Sequence, residues 1–201
     1  AYLAALTGTQ NPYPATEAEI DMDQIANWHD WCVLKRLKYD RVHDTHEALG
    51  EMLNAICAAG RATPRHDGTK WGVVIDRPET LVIDHINPRN SDQFEWSRSY
   101  FDAPDGMRIT FLDETNDYVQ AERIVPWPGH EGPVNLTEAI ELPGKTDPGE
   151  IWIEARRRMY ELQYRADSFS AMQSGRARVV TRGDLVMGSF DVLSRTLVAA
   201  R

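Results

Sequence analysis

A sequence pattern typical of an α-helix is followed directly by one typical of a β-hairpin. The chain is therefore restricted to folds that contain both helices and strands. Asp44 and Glu47 form an Asp-x-x-Glu start ahead of apolar residues at helical spacing, and Gly60 is placed to end the helix. The next apolar runs flank Asp67-Gly68, a pair that supplies the positive φ of a tight turn. We therefore predict a helix that leads into a β-hairpin over residues 62–75.

Two further helices are indicated by capping residues and apolar periodicity. Ile25, Trp28 and Cys32 lie on one helical face behind Asp21 or Asp23, which predicts a helix over residues 21–35. Asp147-Pro148 places a cap before a proline at the first helical position, and apolar residues recur on one face as far as about residue 166. The chain should therefore contain about three helices.

The remaining apolar residues alternate with polar ones, as they do in half-buried strands. Three of these runs, broken only by polar turns, should form an antiparallel group. A last strand-like segment ends in the apolar run 185–187 and follows a turn at residues 181–184. The predicted strands, besides the hairpin and those of the last segment over residues 169–193, cover residues 36–42, 94–100, 107–111, 118–125 and 139–142, and a short strand within residues 81–90 leads into a loop. The fold class predicted is α+β, with mostly antiparallel sheets.

The division into domains is predicted from the order of these elements. Residues 1–90 carry a helix, a strand, a helix and the hairpin, which suits one subdomain. Residues 91–201 form a β-rich subdomain with one long helix. Prolines and glycines crowd residues 126–133, so the boundary is approximate, and a single intertwined unit is the alternative.

Charge and hydropathy restrict the partners of the chain. Its 31 acidic and 22 basic residues give a formal net charge of −9, which disfavours sequence-specific nucleic-acid binding. No apolar run approaches the roughly 20 residues of a spanning helix, so we expect no membrane insertion by this piece. The opening at residues 1–6 looks like the end of a longer helix, which suggests an internal fragment.

Local motifs for catalysis or metal binding are incomplete. His46-Glu47 begins a zinc hydrolase signature, but Gly50 stands where the second histidine is needed. A metal held by His43 and His46 is less favoured than polar residues facing water. No nucleophile elbow and no glycine-rich phosphate loop occurs. Cys32 and Cys57 lie among apolar helix residues, where a free thiol packs as a small hydrophobe. We predict no catalytic residue, no metal and no cofactor.

Three other patterns have both a functional and a structural interpretation. The neighbouring carboxylates of Asp113 and Glu114 could cleave glycosides only across a groove, and are more often solvated. Arg182-Gly183-Asp184 spells a cell-adhesion tripeptide but suits a turn entering a strand. Six tryptophans could line a sugar-binding or subunit interface, although core packing is the default for most. Residues of an interface are not assigned.

Several segments, in chain order, resemble the host-specificity protein J family of lambda-like phages. They include a helix with an acidic cap, a helix and hairpin ending in Asp76-Arg77-Pro78, and a linker into a long helix. Arg182 stands where the family has proline before Gly-Asp, which makes that turn less rigid. The matching segments are residues 20–32, 48–57, 65–78, 116–118, 142–155 and 181–186.

The resemblance implies a structural, non-enzymatic part of a phage or prophage tail tip. Such a part belongs to a central hub that joins the tail tube to the host-recognition fibre and surrounds the DNA path. Its partners would be other segments and copies of the same protein, as a homotrimer, and tail tube and tail tip proteins. It would be made in the host cytoplasm and act in the virion tail tip. A receptor-binding module is the alternative, and a cell-wall hydrolase is a third.

Overall fold

Helices and short strands follow one another in the computed structural model, which describes residues 1–44, 47–100, 102–173 and 180–193. The helices are α1 (Tyr2–Thr7), α2 (Met22–Lys35), α3 (Leu49–Ala59) and α4 (Pro148–Tyr164), with a 3₁₀ turn at Glu17–Glu19. The strands are β1 (Ala62–His66), β2 (Trp71–Ile75), β3 (Val82–Ile86), β4 (Ser91–Arg98), β5 (Gly106–Asp113), β6 (Val119–Pro126), β7 (Thr137–Ile140), β8 (Asp167–Gln173) and β9 (Leu185–Gly188). The fold is α+β, as the sequence predicts.

The contacts divide the chain into two units that interleave in sequence. The first unit comprises Ala1–Asp76 and Phe101–Tyr164, and the second comprises Arg77–Tyr100 and Arg165–Arg201. The interleaving arises because β4 pairs with β8 and β3 pairs with β9, strands that lie far apart in the sequence. The sequence analysis placed one boundary near residue 90 and left an intertwined unit open.

Within the first unit, the predicted α2 is confirmed together with its cap. The Asp21 carboxylate accepts a hydrogen bond from the Gln24 N–H at 3.1 Å, and Arg36 ends the helix with a left-handed φ of 56°. Trp28 is buried and donates its indole N–H to the Gly60 carbonyl at 2.9 Å. A Cβ at Gly60 would lie 2.5 Å from the Trp28 ring, so this contact requires glycine.

The predicted hairpin is also confirmed. β1 and β2 pair antiparallel from Ala62 opposite Ile75 to His66 opposite Trp71. In the turn, one Asp67 oxygen accepts the N–H groups of the residues two and three positions later, at 2.8 and 2.7 Å. Gly68 has φ +100°, as expected for the second residue of such a turn.

The start predicted for α3 at Asp44 and Glu47 is wrong. The helix begins at Leu49, its N-cap is Ala48, and no side chain caps it. Glu47 is engaged elsewhere, because its carboxylate pairs with His43 and Arg41. A carboxylate with two nearby cationic or N–H partners binds them in preference to backbone amides at a helix start.

A second core in the first unit joins α4 to a three-stranded sheet. β5 is central and pairs antiparallel with β6 and parallel with β7. Met107, Ile109 and Phe111 alternate along β5 and are buried, as the sequence predicts. They pack with Val125 and with the α4 face formed by Ile151, Ala155 and Met159. The long helix predicted from Asp147-Pro148 is therefore confirmed.

Two predictions of strand pairing are wrong. Residues 36–42 join no strand ladder, because the backbone groups of Lys38 and Asp40 bind the segment before α4 instead. β4 was expected to lie beside β5 and β6, but it pairs with β8. Alternation along a strand indicates which face is apolar and contains no information about which neighbour supplies the hydrogen bonds.

The second unit contains two pairs of strands within its described residues. β4 and β8 are antiparallel with a bulge at residues 92–95, and β3 and β9 are parallel. Four aromatic rings stack in a row beside β4, in the order Trp96, Phe169, Phe94 and Phe190. Among the helices of the described residues, none is long and apolar enough to cross a bilayer.

Candidate functional site

An aromatic stripe runs along the outer face of α4. We use this name for Trp152, Arg156, Tyr160 and Tyr164, which are spaced by four residues and so share one helical face. The Arg156 guanidinium lies 5.3 Å from the centre of the Trp152 ring and 5.9 Å from that of Tyr160. The rings of Tyr160 and Tyr164 stack at 5.9 Å. Each side chain of the stripe therefore holds its neighbour in place.

The helix below the aromatic stripe is firmly held by the rest of the first unit. Its opposite face is buried, and the Arg156 guanidinium also donates to the Pro126 carbonyl at 2.8 Å. Trp, Tyr and Arg are the residues most enriched among those that dominate protein binding energies. Side chains that are already ordered lose less entropy on binding. The stripe is therefore an ordered, partly exposed row of side chains of the types that are enriched in protein-binding surfaces.

The six tryptophans differ in burial. Trp28 and Trp127 are buried in the two cores of the first unit. Trp31, Trp71 and Trp96 are partly exposed. Trp152 is 40% exposed and is the tryptophan that lies in the aromatic stripe. Trp152 follows the buried Ile151 directly, at the border of the buried face of α4.

An open cleft of about 1200 Å³ in the first unit is lined by residues 39–42 and 139–146, with parts of β5 and the turn after it. The Tyr39 ring lies against Gly144, where a Cβ would be 2.4 Å from the ring. Gly144 also has φ +69°, so glycine is needed there on two grounds. The Asp40 N–H donates to the Gly144 carbonyl at 2.9 Å, which fixes the two walls to each other.

A buried lysine, Lys145, is among the residues that line this cleft. The Lys145 ammonium donates to the Lys38 carbonyl and to the Glu150 carboxylate, each at 2.8 Å. Thr146 is also buried, and its hydroxyl donates to Glu114 at 2.8 Å. These polar groups satisfy one another, so they act as structural ties between three segments of the chain.

His43 lies between two hydrogen-bond partners, Glu47 and the cleft residue Tyr39. Its Nε2 is 2.8 Å from the Tyr39 hydroxyl, and its Nδ1 is 2.8 Å from the Glu47 carboxylate. The hydrogen bond from His43 lowers the pKa of Glu47, and burial raises the pKa of Tyr39. Both ring nitrogens are engaged, so metal binding would require one of these bonds to break. His46, the other candidate ligand, lies outside the described residues.

An ion-pair network centred on Glu154 links the two cores of the first unit. The buried Glu154 carboxylate pairs with Arg61, which follows α3, and with the Arg157 Nε at 3.0 Å. Arg157 also contacts Asp76 at 2.9 Å and Glu161 at 2.7 Å. Burial opposes ionisation of Glu154 and is the largest effect on its pKa. The hydrogen bonds and charges of the two arginines outweigh it and hold the pKa below its ordinary value.

The other candidate residues have structural partners. Asp113 accepts hydrogen bonds from Thr115 within its own turn, and Glu114 binds Thr146 rather than facing a second carboxylate. In Arg182-Gly183-Asp184, the aspartate accepts from the Thr181 N–H at 2.7 Å, which confirms the predicted turn. Among the described residues, no group of three His, Cys, Asp or Glu side chains is placed to hold a metal ion.

The cysteines are free thiols in the described structure. Cys57 is fully buried, and Cys32 is partly buried near the Gly60 carbonyl. Burial raises the pKa of Cys57 to about 12 and also raises the pKa of Cys32. Both thiols are therefore protonated near neutral pH, which fits the packing role predicted from the sequence.

Comparison with known proteins finds a likeness in fold to a solved structure. No protein-family model and no curated protein matches the chain. The solved structure that carries the likeness is described as the tail protein from Neisseria meningitidis MC58 and superposes with a TM-score of 0.54. Identity is 9%, so the likeness concerns the fold alone. It covers 84% of this chain and 57% of that chain, so this chain spans little more than half of its neighbour.

Proposed function

We propose that this chain is a structural component of a bacteriophage or prophage tail tip. It forms part of the central hub that links the tail tube to the host-recognition fibre and lets DNA pass during ejection. The single observation that carries the proposal is the fold shared with a solved tail protein over 84% of the chain. The order of segments resembling the protein J family supports the finer assignment to a hub at the tip.

The polar chemistry of the first unit supports a structural role. The groups that could react are engaged with each other: Lys145 with Glu150, His43 with Glu47, and Glu154 with two arginines. In this proposal they make a rigid block that transmits force and performs no chemistry. The chain has no catalytic centre of its own and needs no cofactor.

The aromatic stripe supports assembly with other tail proteins. It offers Trp, Tyr and Arg side chains in fixed positions, which is the composition of a binding hot spot. We propose that a neighbouring tail tip or tail tube protein packs on this stripe. Copies of the chain gather as a homotrimer around the DNA path. The net charge of −9 would then let DNA slide past without adhering.

Localisation in virions is the first test of this function. Gold-labelled antibodies raised against the chain should mark the distal end of purified tails, and quantitative mass spectrometry should find three copies per tail. Label on the capsid, on fibre ends alone, or on no particle would contradict a hub position. Label on fibre ends alone would favour the receptor-binding module.

The role of the aromatic stripe is tested by a matched pair of tyrosine variants. Tyr164 is 73% exposed within the stripe, and Tyr13 is 87% exposed outside it. Tyr164→Ser should reduce incorporation of the protein into tails at least about tenfold, since a hot-spot residue contributes about 2 kcal/mol or more. Tyr13→Ser should leave incorporation unchanged. Equal incorporation of both variants would show that the stripe contacts no partner.

Two activity assays separate the alternatives. Purified protein should leave peptidoglycan intact in a clearing assay, whereas a cell-wall hydrolase would clear it and lose activity with Glu114→Gln. It should also show no affinity for bacterial envelope fractions, whereas a receptor-binding module would bind them. A positive result in either assay would replace the structural proposal with that function.

A further inference from the structure

The floor of the open cleft in the first unit is formed by the face of the sheet that lies opposite α4. Arg108, Thr110 and Leu112 alternate along β5 with the buried residues that pack on α4, and all three line the cleft. β7 extends this floor, since Ala139 pairs with Arg108 in a parallel register and Glu141 follows the strand. The cleft therefore extends along the direction of the two strands.

Three kinds of side chain follow one another along this floor. Arg108 provides a guanidinium at the first position. At the second position, Thr110 pairs with Glu122 on β6, and Glu141 lies beside it when the register of β7 is continued by one residue. Leu112 is 53% exposed and provides an apolar third position. The floor therefore presents a cation, then carboxylates, then an apolar group over roughly 13 Å.

The charges of the floor are open to a partner. The Arg108 guanidinium and the Glu122 carboxylate are 3.8 Å apart, and each side chain is nearly half exposed. Exposed pairs of this kind contribute little energy. Among the described residues, no hydrogen bond or ion pair engages the Glu141 side chain. A partner with opposite charges at these two positions would therefore gain contacts without breaking a strong one.

Tyr118, at the rim of the cleft, has a backbone conformation that favours glycine. Its φ is 57°, and the preceding Asp117 has φ 51°. The Tyr118 N–H donates to the Asp113 carbonyl at 2.8 Å, which places this residue at the Leu112 end of the cleft. The side chain is 58% exposed, so core packing does not compensate for the strain. Strained residues cluster at ligand-binding sites, where the position of the side chain matters.

The spacing of the floor favours an extended occupant. Alternate residues of a strand are roughly 7 Å apart, which is also the spacing of alternate side chains in an extended peptide. Side chains on one face of a helix recur after about 5 Å and would lose this match by the third position. The wall formed by residues 39–42 is already tied to Gly144, and Val42 in this wall is 82% exposed. The cleft is thus formed before a partner binds, which reduces the entropy cost of binding.

We propose that this cleft binds an extended segment of another protein, in which an acidic, a basic and an apolar side chain occur at every second position in that order. The acidic side chain pairs with Arg108, and the basic one pairs with Glu141. The apolar side chain packs on Leu112 and on the Tyr118 ring. This inference goes beyond the proposed function, because it identifies a second contact surface of the chain and the chemistry of the partner segment.

Fluorescence anisotropy of the full chain with short labelled peptides tests this site. The probe Ser-Glu-Thr-Lys-Thr-Phe-Ser has the required order, and its reversed sequence is included because the cleft fixes the order of the side chains and not the direction of the backbone. The control peptide exchanges Glu and Lys and so has the same composition. At least one probe should bind with a Kd below about 1 mM and about tenfold more tightly than the control. No binding of either probe, or equal affinity for the control, would overturn the proposal.

Charge reversal in the cleft gives an independent readout. The double variant Arg108→Glu and Glu141→Lys should prefer the control peptide over the probes by about the same factor. An unchanged preference, in a variant whose circular dichroism matches that of the original chain, would refute the two assigned contacts.

A matched pair of glycine variants separates binding from folding at the rim. Tyr118→Gly and Asp117→Gly each remove a positive φ from a side-chain-bearing residue, so each should raise the urea midpoint. Asp117 does not line the cleft, and Asp117→Gly should bind the probe as the original chain does. Tyr118→Gly should bind it at least about fivefold more weakly, since an aromatic contact is lost. Unchanged binding by Tyr118→Gly, or a lowered midpoint, would show that the ring has no role in binding.

Crosslinking locates the bound peptide. A benzoyl-phenylalanine in place of the phenylalanine of the probe should crosslink to the chain near Leu112 or Tyr118. Crosslinks to α4 or to the second unit would reject the cleft as the site. Peptide binding at the cleft by a chain that is absent from virions would refute the hub function and leave this inference standing. Label at the tail tip without any peptide binding would refute the cleft alone.

Discussion

Replacing Glu154 by glutamine should destabilise the first unit by about 3 kcal/mol, because the substitution removes a buried negative charge and leaves its cationic partners in place. Glu154 is 4% exposed and accepts three hydrogen bonds, two from Arg61 and one from Arg157. Arg157 keeps the carboxylates of Asp76 and Glu161. The loss therefore falls mainly on Arg61, whose side chain is only 16% exposed. Breaking a buried pair by removing one partner costs about 3–5 kcal/mol, and the amide oxygen of glutamine retains part of the hydrogen bonding.

Urea denaturation followed by tryptophan fluorescence measures this effect. Every tryptophan except Trp96 lies in the first unit, so the signal reports mainly on that unit. The matched control is Glu161→Gln, the same change two turns later on α4, where the carboxylate is more exposed and contacts Arg157 at 2.7 Å. It should cost no more than about 1 kcal/mol. A Glu154→Gln loss as small as that of the control would refute the reasoning that this buried pair ties the two cores together.

Three further predictions follow from local geometry and ionisation. Gly144→Ala should cost about 2–3 kcal/mol, because it adds a clash with an aromatic ring to the strain of a positive φ, whereas Gly129→Ala, with φ +82° and open space, should cost about 1 kcal/mol in the same urea assay. Because the folded pKa of Glu154 is lowered, its stabilising contribution is present above the unfolded pKa of about 4.3 and is lost as pH falls through the folded pKa. Denaturation midpoints should therefore decrease below about pH 4.5, and less so in Glu154→Gln, where an equal decrease would point to other groups. With a pKa of about 12, Cys57 should react with a thiol reagent at pH 8 roughly a thousandfold more slowly in the folded than in the unfolded protein, and fast labelling of folded protein would contradict its burial.

Elements whose signals are local were predicted correctly from the sequence. The hairpin depends on Asp67-Gly68, a turn that two residues specify by themselves. α4 depends on Asp147-Pro148 and on an apolar face that a single helix defines. The start of α3 was wrong because Glu47 has a choice of partners, and His43 and Arg41 lie close enough to engage it. Whether His43 and Arg41 lie within reach of the Glu47 carboxylate depends on the path of the backbone, which the sequence pattern does not specify.

The aromatic stripe was only partly predictable. The sequence indicated that tryptophans could belong to an interface, but it did not separate Trp152 from the others. Its spacing to Arg156 and Tyr160 is visible in the sequence, yet the same spacing occurs in buried helices. Exposure decides between the two, and exposure depends on which side of α4 the sheet covers.

The sequence by itself determined the α+β class, the positions of most helices and strands, and which face of each is apolar. These properties follow from the turn residues, helix caps and periodicity that neighbouring residues create within one element. Only the tertiary structure shows that β4 pairs with β8, that β3 pairs with β9, and that residues 36–42 bind the segment before α4. Those properties depend on contacts between residues far apart in the chain, and backbone hydrogen bonds carry no sequence label that specifies their partner.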